Sequence, residues 1–164
     1  IRAVSICKDN DIKSVGVFLN QSVEDISSIL NKVDLDIIQL HGNENIDDYT
    51  IFNKDIINTI HASENIQSQL SKINLNKHMH LIDATDNQMR GGSGITFDWN
   101  ILKDLNCEKL FIAGGLKPDN ILDLLSRYTP RCVDVSSGIE RKVGYKDHKI
   151  MSDFVETVRT YYEK

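Results

Sequence analysis

Asp83 has the residue type and the position expected of a group that transfers protons. It directly follows the apolar pair Leu81-Ile82, so we expect it to emerge from a buried strand into the mouth of a pocket. A buried carboxyl group holds its proton more readily than an exposed one, and it can therefore act as a general acid near neutral pH. The alternative is an ordinary Asp that caps the turn after the strand.

Two turns rich in small residues could together bind an anion. The first is Ala113-Gly114-Gly115-Leu116-Lys117-Pro118, between a strand and a helix start. There, glycine lets backbone N–H groups approach a ligand closely, and the helix dipole favours negative charge. The second, Val133-Asp134-Val135-Ser136-Ser137-Gly138, adds hydroxyl groups and further backbone donors. Each alone could be an ordinary tight turn, but as successive strand–helix loops they predict a phosphate site.

The other patterns in the sequence are weak evidence for a catalytic, metal or nucleotide site. Gly91-Gly92-Ser93-Gly94 lacks the spacing of a dinucleotide-binding fingerprint, and a mobile loop over a pocket fits it better. His78 and His80 would share one side of a strand, but a loop His followed by a strand His is favoured over a metal site. The sequence contains no Walker A, HExxH or GxSxG pattern. We therefore expect neither a metal nor a cofactor.

Six short apolar runs must position these groups, and each has the length of a buried strand in a parallel sheet. Helical periodicity separates them, which predicts βα units and an α/β fold. The expected strands are residues 15–19, 36–40, 56–60, 79–82, 109–113 and 132–135. The expected helices are residues 23–33, 63–73, 118–128 and 147–162, with Ser22 as the N-cap of the first.

Polar residues follow the carboxyl end of every expected strand. In parallel α/β proteins, ligands and catalytic groups collect at that edge of the sheet. Any one of these residues could simply belong to a solvated loop, but six coincidences favour a functional site. The residues are Asn20, His41-Gly42, His61, Asp83, Gly114-Gly115 and Ser136-Ser137-Gly138.

The composition is that of an ordinary soluble globular protein. The 164 residues include 19 Lys and Arg against 24 Asp and Glu, which gives a formal net charge of −5. A mildly acidic chain without a basic block is a poor candidate for binding nucleic acid. Because no apolar run approaches the ~20 residues of a membrane span and no secretory signal is recognisable, we expect no membrane association. We expect a single domain over residues 1–164.

The cysteines bear on the compartment. Cys7, Cys107 and Cys132 are far apart, their number is odd, and no CxxC pair occurs. This usage predicts free thiols in a reducing compartment, and so a cytoplasmic protein, rather than a disulfide or metal framework.

In this order, the motifs resemble the phosphoribosylanthranilate isomerase family, whose members are (βα)8 TIM-barrel enzymes of tryptophan biosynthesis. The resemblance runs from about Val15 to the C-terminus, and the ordered set is more specific than any single piece. The pieces are VGVFLN at 15–20, IQLHGNE at 38–44, LID at 81–83, GGSG at 91–94, FDW at 97–99, AGGLKPDN at 113–120, VDVSSGIE at 133–140, GYKD at 144–147 and KI at 149–150.

The resemblance implies an Amadori rearrangement, in which the ribose ring of phosphoribosylanthranilate opens and an aldose amine becomes a ketose amine. That reaction needs one general acid, one general base and no cofactor. By resemblance, Asp83 is the acid that protonates the ring oxygen. The phosphate is expected on Gly115, Ser136, Ser137 and Gly138.

The resemblance implies roles for two further residues. Asp134 lies two residues before Ser136, so the two would share a strand face, and Asp134 would orient the sugar or the groups around it. Arg2 would be the arginine of the family's Ser-x-Arg segment, which pairs with the anthranilate carboxylate. The alternative for Arg2 is an exposed terminal arginine. The expected partner is a small phosphorylated substrate, and the expected assembly is a monomer or a homodimer.

The sequence departs from the family at its start. The family's general base is the cysteine of a Lys-x-Cys-Gly strand, and this sequence contains no such segment. Cys7 lies in Ser5-Ile6-Cys7-Lys8, without the glycine and too close to Val15, so it should not be that cysteine. Eight βα units of roughly 23 residues need ~185 residues, whereas only about six units are recognisable here. We expect that an N-terminal piece is missing from the sequence; the alternative is a truncated protein, in which an open barrel would expose strand edges.

Two alternative functions stay open. Another phosphosugar barrel, such as indole-glycerol-phosphate synthase, would need extra lysine and glutamate groups at the strand ends. A catalytically incomplete barrel or fragment would bind a phosphorylated ligand, or a complementary fragment, without turnover.

Overall fold

Strands and helices alternate along the chain in the computed structural model, which describes residues 2–62, 66–83 and 99–163. The strands are β1 Val15–Phe18, β2 Ile37–Leu40, β3 Asp55–His61, β4 Met79–Asp83, β5 Leu110–Ala113, β6 Cys132–Val133, β7 Glu140–Lys142 and β8 Tyr145–Lys146. The α-helices are α1 Arg2–Asp9, α2 Val23–Leu30, α3 Ile66–Leu70, α4 Pro118–Arg127 and α5 His148–Tyr162. Short 3-10 helices cover Ile46–Phe52, Trp99–Leu102, Cys107–Lys109 and Ser137–Ile139.

The six predicted apolar runs all form strands of one sheet. Its order is β1-β2-β3-β4-β5-β6, its strands are parallel, and β7 and β8 form a separate antiparallel pair. In the register of the first pair, Val15 lies opposite Ile37 and Phe18 opposite Leu40. The predicted ends are correct to within one or two residues. Sequential order and parallel direction are the arrangement that helical crossovers produce.

The helices start where the sequence signals place them. The Ser22 hydroxyl caps α2 by accepting a hydrogen bond from the Asp25 N–H at 3.1 Å. Pro118 opens α4, where its missing N–H costs nothing. The predicted first helix ends at Leu30 instead of residue 33, and α3 ends at Leu70 instead of residue 73. The predicted start of α3, at residues 63–65, lies outside the described residues.

Strand β1 differs from the prediction that strands are buried on both faces. Phe18 is buried, and a Cβ added at Gly16 would overlap the side chain of Leu35, so this face is tightly packed. Val15 and Val17 are 42% and 60% exposed. Successive side chains of a strand point to opposite faces, so β1 packs through one face alone.

The chain divides into two compact units. The first comprises Ile1–Thr59 and Leu75–His80, and the second Ile60–Asn74 and Leu81–Lys164. The core of the first unit is an apolar cluster of Phe18, Ile26, Leu35, Ile38, Leu40, Tyr49 and Ile56. Fully buried residues of the second unit include Ile82, Leu110, Ile112, Ile121, Leu124 and Leu125. Within the described residues, no helix is both long and apolar enough to cross a membrane.

Candidate active site

Asp83 is the last residue of β4, one residue inside the strand that the sequence predicted it to follow, and it is 8% exposed. The two residues before it, Leu81 and Ile82, are buried and fix the end of the strand in the core of the second unit. The Asp83 carbonyl oxygen accepts a hydrogen bond from the Ala62 N–H at 2.8 Å, which joins the ends of β3 and β4. The carboxyl group is therefore held on a rigid element at a strand end.

His61 accompanies Asp83 in the second unit. It is the last residue of β3, and one of its ring nitrogens lies within 4.8 Å of a carboxylate oxygen of Asp83. The sequence analysis noted His61 only as the residue that follows one of the six expected strands. The shared carboxyl edge of neighbouring parallel strands was the signal that could have paired it with Asp83.

The first predicted turn leaves the end of β5 and enters α4. Gly114 and Gly115 have φ of 92° and 64°, in the left-handed region that favours glycine. Asn120 fixes the turn from α4, because its side-chain amide donates to the Gly115 carbonyl and its oxygen accepts from the Lys117 N–H, both at 2.9 Å. The turn thus has a defined conformation at the start of a ten-residue helix.

The second predicted turn packs directly on the first. Residues Ser137–Ile139 form a 3-10 helix, and a Cβ added at Gly138 would overlap the carbonyl oxygen of Leu116. Gly138 is therefore the position at which the backbones of the two turns meet. The structure brings these two loops into contact, as expected of a site that both loops form.

The strand order places these groups on one edge. Asp83 ends β4, the Gly114-Gly115 turn follows β5, and residues 134–138 follow β6, and these three strands are neighbours in the parallel sheet. Carboxyl ends of neighbouring parallel strands lie at the same edge. Asp83 and the two turns therefore share the edge at which such proteins bind ligands, and all three belong to the second unit.

The two remaining predicted residues have different settings. The Asp134 N–H donates to the Ile112 carbonyl at 2.8 Å, which continues the pairing of β5 and β6, and its side chain is exposed. Arg2 is the first residue of α1, in the first unit, and is also exposed. The predicted glycine-rich loop, residues 91–94, lies outside the described residues.

Lys146 makes contacts that the sequence did not reveal. Its ammonium nitrogen lies 2.7 Å from the Ser136 carbonyl oxygen, 3.2 Å from the Ser136 hydroxyl and 2.8 Å from a carboxylate oxygen of Glu140. The pKa of Glu140 is lowered mainly by the hydrogen bond from Lys146 and, to a smaller extent, by the one from the Gly144 N–H. The ion pair of Lys146 and Glu140 therefore stabilises the second turn through its contacts with Ser136.

The histidine pair and the cysteines are as expected. His78 lies in a bend and His80 in β4, where it is 1% exposed, so the preferred interpretation as a loop His followed by a strand His is confirmed. Burial lowers the pKa of His78. All three cysteines are free thiols, and Cys7 lies on the helix α1 instead of a strand.

A parallel βα sheet with a buried carboxyl group and two glycine-containing turns at its carboxyl edge is typical of barrel-type α/β enzymes. Comparison with known proteins narrows the class. The family described as N-(5'phosphoribosyl)anthranilate (PRA) isomerase matches residues 2–157. The chain belongs to this family, which confirms the resemblance found in the sequence.

Individual relatives support the same assignment. The N-(5'-phosphoribosyl)anthranilate isomerase of Oceanobacillus iheyensis is 42% identical over 150 residues, which cover 90% of this chain and 72% of that protein. The enzyme of the same name from Caldanaerobacter subterraneus is 38% identical over 155 residues, covering 90% and 73%. The chain thus spans about three quarters of the length of these relatives.

Solved structures agree on the fold. Phosphoribosyl anthranilate isomerase from Thermotoga maritima matches with a TM-score of 0.77 and 31% identity, covering 91% of this chain and 74% of that one. A phosphoribosyl anthranilate isomerase in complex with reduced 1-(o-carboxyphenylamino)-1-deoxyribulose 5-phosphate matches with a TM-score of 0.73 and 28% identity, covering 91% and 72%. The predicted TIM-barrel type of fold is thereby confirmed.

Proposed function

We propose that the chain is an isomerase that converts N-(5'-phosphoribosyl)anthranilate to 1-(2-carboxyphenylamino)-1-deoxyribulose 5-phosphate, a step of tryptophan biosynthesis. Membership of the PRA isomerase family supports this reaction. One observation carries the site assignment. Asp83 ends β4 at the same sheet edge as the turns after β5 and β6.

Asp83 acts as the general acid in this proposal. Its proton passes to the ring oxygen of the ribose, the C1–O bond breaks, and the nitrogen lone pair stabilises the resulting cation. A base then removes the proton from C2, and the enolamine tautomerises to the ketone. Burial of Asp83 at a rigid strand end supports the first step, because a proton donor must be held within hydrogen-bond reach of its target.

The two turns bind the phosphate and so fix the sugar relative to Asp83. Gly115 offers backbone without a side chain, and the ten-residue helix α4 begins three residues later, with its positive dipole end toward the turn. Ser136 and Ser137 contribute hydroxyl groups, and Gly138 lets the second turn approach the first. Binding energy from the non-reacting phosphate then serves to position the reacting atoms.

Asp134 and Arg2 complete the proposed substrate contacts. Asp134 follows β6 and orients the sugar or the groups around it. Arg2 pairs with the anthranilate carboxylate, for which a guanidinium offers two parallel hydrogen bonds. Arg2→Lys keeps the charge but loses the fork, so it should weaken binding of substrate more than that of a ligand without the carboxylate.

The setting of the protein is also part of the proposal. Three free thiols favour the reducing cytoplasm, and the net charge of −5 favours a small-molecule ligand over nucleic acid. A solved relative described as mutually generated monomers of a dimeric isomerase makes both a monomer and a homodimer reasonable assemblies. Sedimentation velocity separates the two.

The substitution Asp83→Asn tests the role of the acid. The amide keeps the shape of the side chain but cannot supply the proton, so turnover should fall by about 10²–10⁴-fold. Affinity for reduced 1-(o-carboxyphenylamino)-1-deoxyribulose 5-phosphate should stay nearly unchanged. Turnover is measured as the loss of phosphoribosylanthranilate fluorescence. The matched control is Asp123→Asn, an exposed carboxylate on α4 that pairs with Arg127.

Near-normal turnover in Asp83→Asn would reject the assignment, and Asp123→Asn should leave turnover unchanged. A second candidate function is a module that binds the phosphorylated ligand without turnover. Cys7 favours it, because the family's base lies on a strand whereas Cys7 lies on α1. Tight binding of the reduced ligand together with no turnover by the unsubstituted chain would identify this second function.

A further inference from the structure

Lys146, in the two-residue strand β8, has an ammonium group surrounded by protein oxygens. A lysine ammonium has three N–H donors and no acceptor. Three oxygens surround it within hydrogen-bond distance, namely the Ser136 carbonyl, the Ser136 hydroxyl and one carboxylate oxygen of Glu140. Its donors are thus all committed to the protein, so Lys146 is poorly placed to bind a phosphate itself.

The hydrogen bond from Lys146 to the Ser136 hydroxyl oxygen limits where the hydroxyl hydrogen of Ser136 can point. A serine hydroxyl has one O–H donor and two acceptor lone pairs. When Lys146 donates to the oxygen, an acceptor site of Ser136 is filled and its hydrogen stays available for an acceptor elsewhere. A phosphate oxygen has no hydrogen to give at neutral pH when doubly ionised, so it needs such a donor.

Glu140 holds Lys146 in place. Its second carboxylate oxygen accepts a hydrogen bond from the Gly144 N–H at 3.1 Å, so both oxygens are fixed within the β7–β8 hairpin. The Glu140 side chain is 15% exposed, against 40% for Lys146. The carboxylate is thus partly shielded from water, which strengthens its hold on the ammonium.

We propose that Lys146 is a positioning residue of the phosphate site, which acts through Ser136 by fixing the second turn and directing the Ser136 hydroxyl hydrogen toward the phosphate. The inference rests on the proposed function, because it assumes that Ser136 contacts the phosphate. In this proposal the hairpin of β7 and β8 stabilises the phosphate site, because it holds Glu140 and Lys146 beside the second turn.

Binding of reduced 1-(o-carboxyphenylamino)-1-deoxyribulose 5-phosphate and of its dephosphorylated form tests the proposal without requiring turnover. Calorimetric titrations compare the unsubstituted chain with Ser136→Ala, Lys146→Met, the double variant and Lys146→Arg. Each single substitution should weaken binding of the phosphorylated ligand about tenfold, the typical effect of a lost hydrogen bond to a charged group. The dephosphorylated ligand should bind equally to all variants.

The double variant carries the decisive comparison. If Lys146 acts through Ser136, the double variant binds no more weakly than either single variant, because each substitution removes the same contact. Lys146→Arg keeps a cationic donor and should restore most of the affinity. Lys149→Met is the matched control, since Lys149 is exposed and pairs with Asp153 on α5.

Each other outcome overturns a defined statement. Additive losses in the double variant, or equal weakening for both ligands, reject the role of Lys146 and leave the phosphate site standing. An unchanged affinity in Ser136→Ala rejects both this inference and the proposed phosphate contact of Ser136. If Lys146→Met lowers the thermal midpoint far more than Lys149→Met does, Lys146→Arg decides: unrestored affinity in a stable protein rejects the proposal.

Discussion

A backbone carbonyl determines which residue can occupy position 138. The carbonyl oxygen of Leu116 lies where the Cβ of any larger residue would have to be, so only glycine lets the turn after β6 approach the turn after β5. Gly144 is glycine for another reason. Its φ is 78°, and open space surrounds the position of a Cβ. One glycine thus serves contact between loops, and the other serves the local conformation of a hairpin.

The pair Gly138→Ala and Gly144→Ala separates these two effects. Alanine at 138 collides with backbone that cannot rotate away, so we expect a loss of stability of about 1–3 kcal/mol and weaker binding of the phosphorylated ligand. Alanine at 144 costs about 1 kcal/mol through left-handed strain, and because it keeps the N–H that binds Glu140 it should weaken ligand binding less than alanine at 138. Urea unfolding and ligand titration measure both. Unchanged affinity in Gly138→Ala would contradict the idea that the two turns form one site.

Two of the helices, α2 and α5, begin at a side-chain cap. Ser22 accepts from the Asp25 N–H at the start of α2, and Asp147 accepts from the N–H groups of Lys149 and Ile150 at the start of α5. Each cap satisfies donors that a helix leaves without partners in its first turn. The caps therefore fix where each helix begins relative to the strand before it.

The same chemical change should have opposite effects at two serines of this region. Ser22→Ala removes the cap of α2 and should lower the free energy of unfolding by about 1 kcal/mol. Ser28→Ala, at an exposed position inside α2, replaces serine by a better helix former and should raise stability slightly. Thermal unfolding monitored by circular dichroism measures both. Equal effects at the two positions would show that the cap contributes nothing.

The sequence predicted the elements whose signals are local. Apolar runs revealed all six strands of the sheet, Ser22 and Pro118 revealed the starts of α2 and α4, and helical periodicity revealed α5. Local signals did not reveal helix α1, because its first turn contains no acidic residue and it buries none of its side chains. The hairpin of β7 and β8 was missed because strands of three and two residues carry no periodicity.

In the candidate site, too, the sequence revealed the residues that have a local signal but not the contacts between elements. Gly115, Asp83 and the serine turn were selected as candidates because their types and their positions after apolar runs are visible in the sequence. The proximity of His61 to Asp83 and the contact of Lys146 with Ser136 were not predicted, because the first involves two strands and the second depends on a hairpin that the sequence did not reveal. Contacts between elements need the register and the spatial order of those elements, which only the fold supplies.

The charge distribution of the whole molecule sets its response to acid. Asp34, Asp36 and Asp47, all in the first unit, have lowered pKa values. The pKa of Asp34 falls to about 2 because Lys8 and Lys54 donate hydrogen bonds to it. Hydrogen bonds from Ser14 lower the pKa of Asp36. Each such group binds protons more weakly in the folded chain than in the unfolded one, so acid favours unfolding.

The lowered pKa of Asp34 makes the stability of the chain depend on pH in the acid range. The stabilisation from Asp34 is complete above the ordinary pKa of about 4 and is lost as the pH falls toward about 2. The urea midpoint of the chain should therefore fall between about pH 5 and pH 2. Asp34→Asn should lower the midpoint only slightly near pH 6, because the pair is exposed, and its effect should be much smaller near pH 2. Lys8→Met removes one of the two cations and should reproduce part of this pattern. An effect of Asp34→Asn that persists undiminished at pH 2 would show that Asp34 stabilises the fold through something other than its charge.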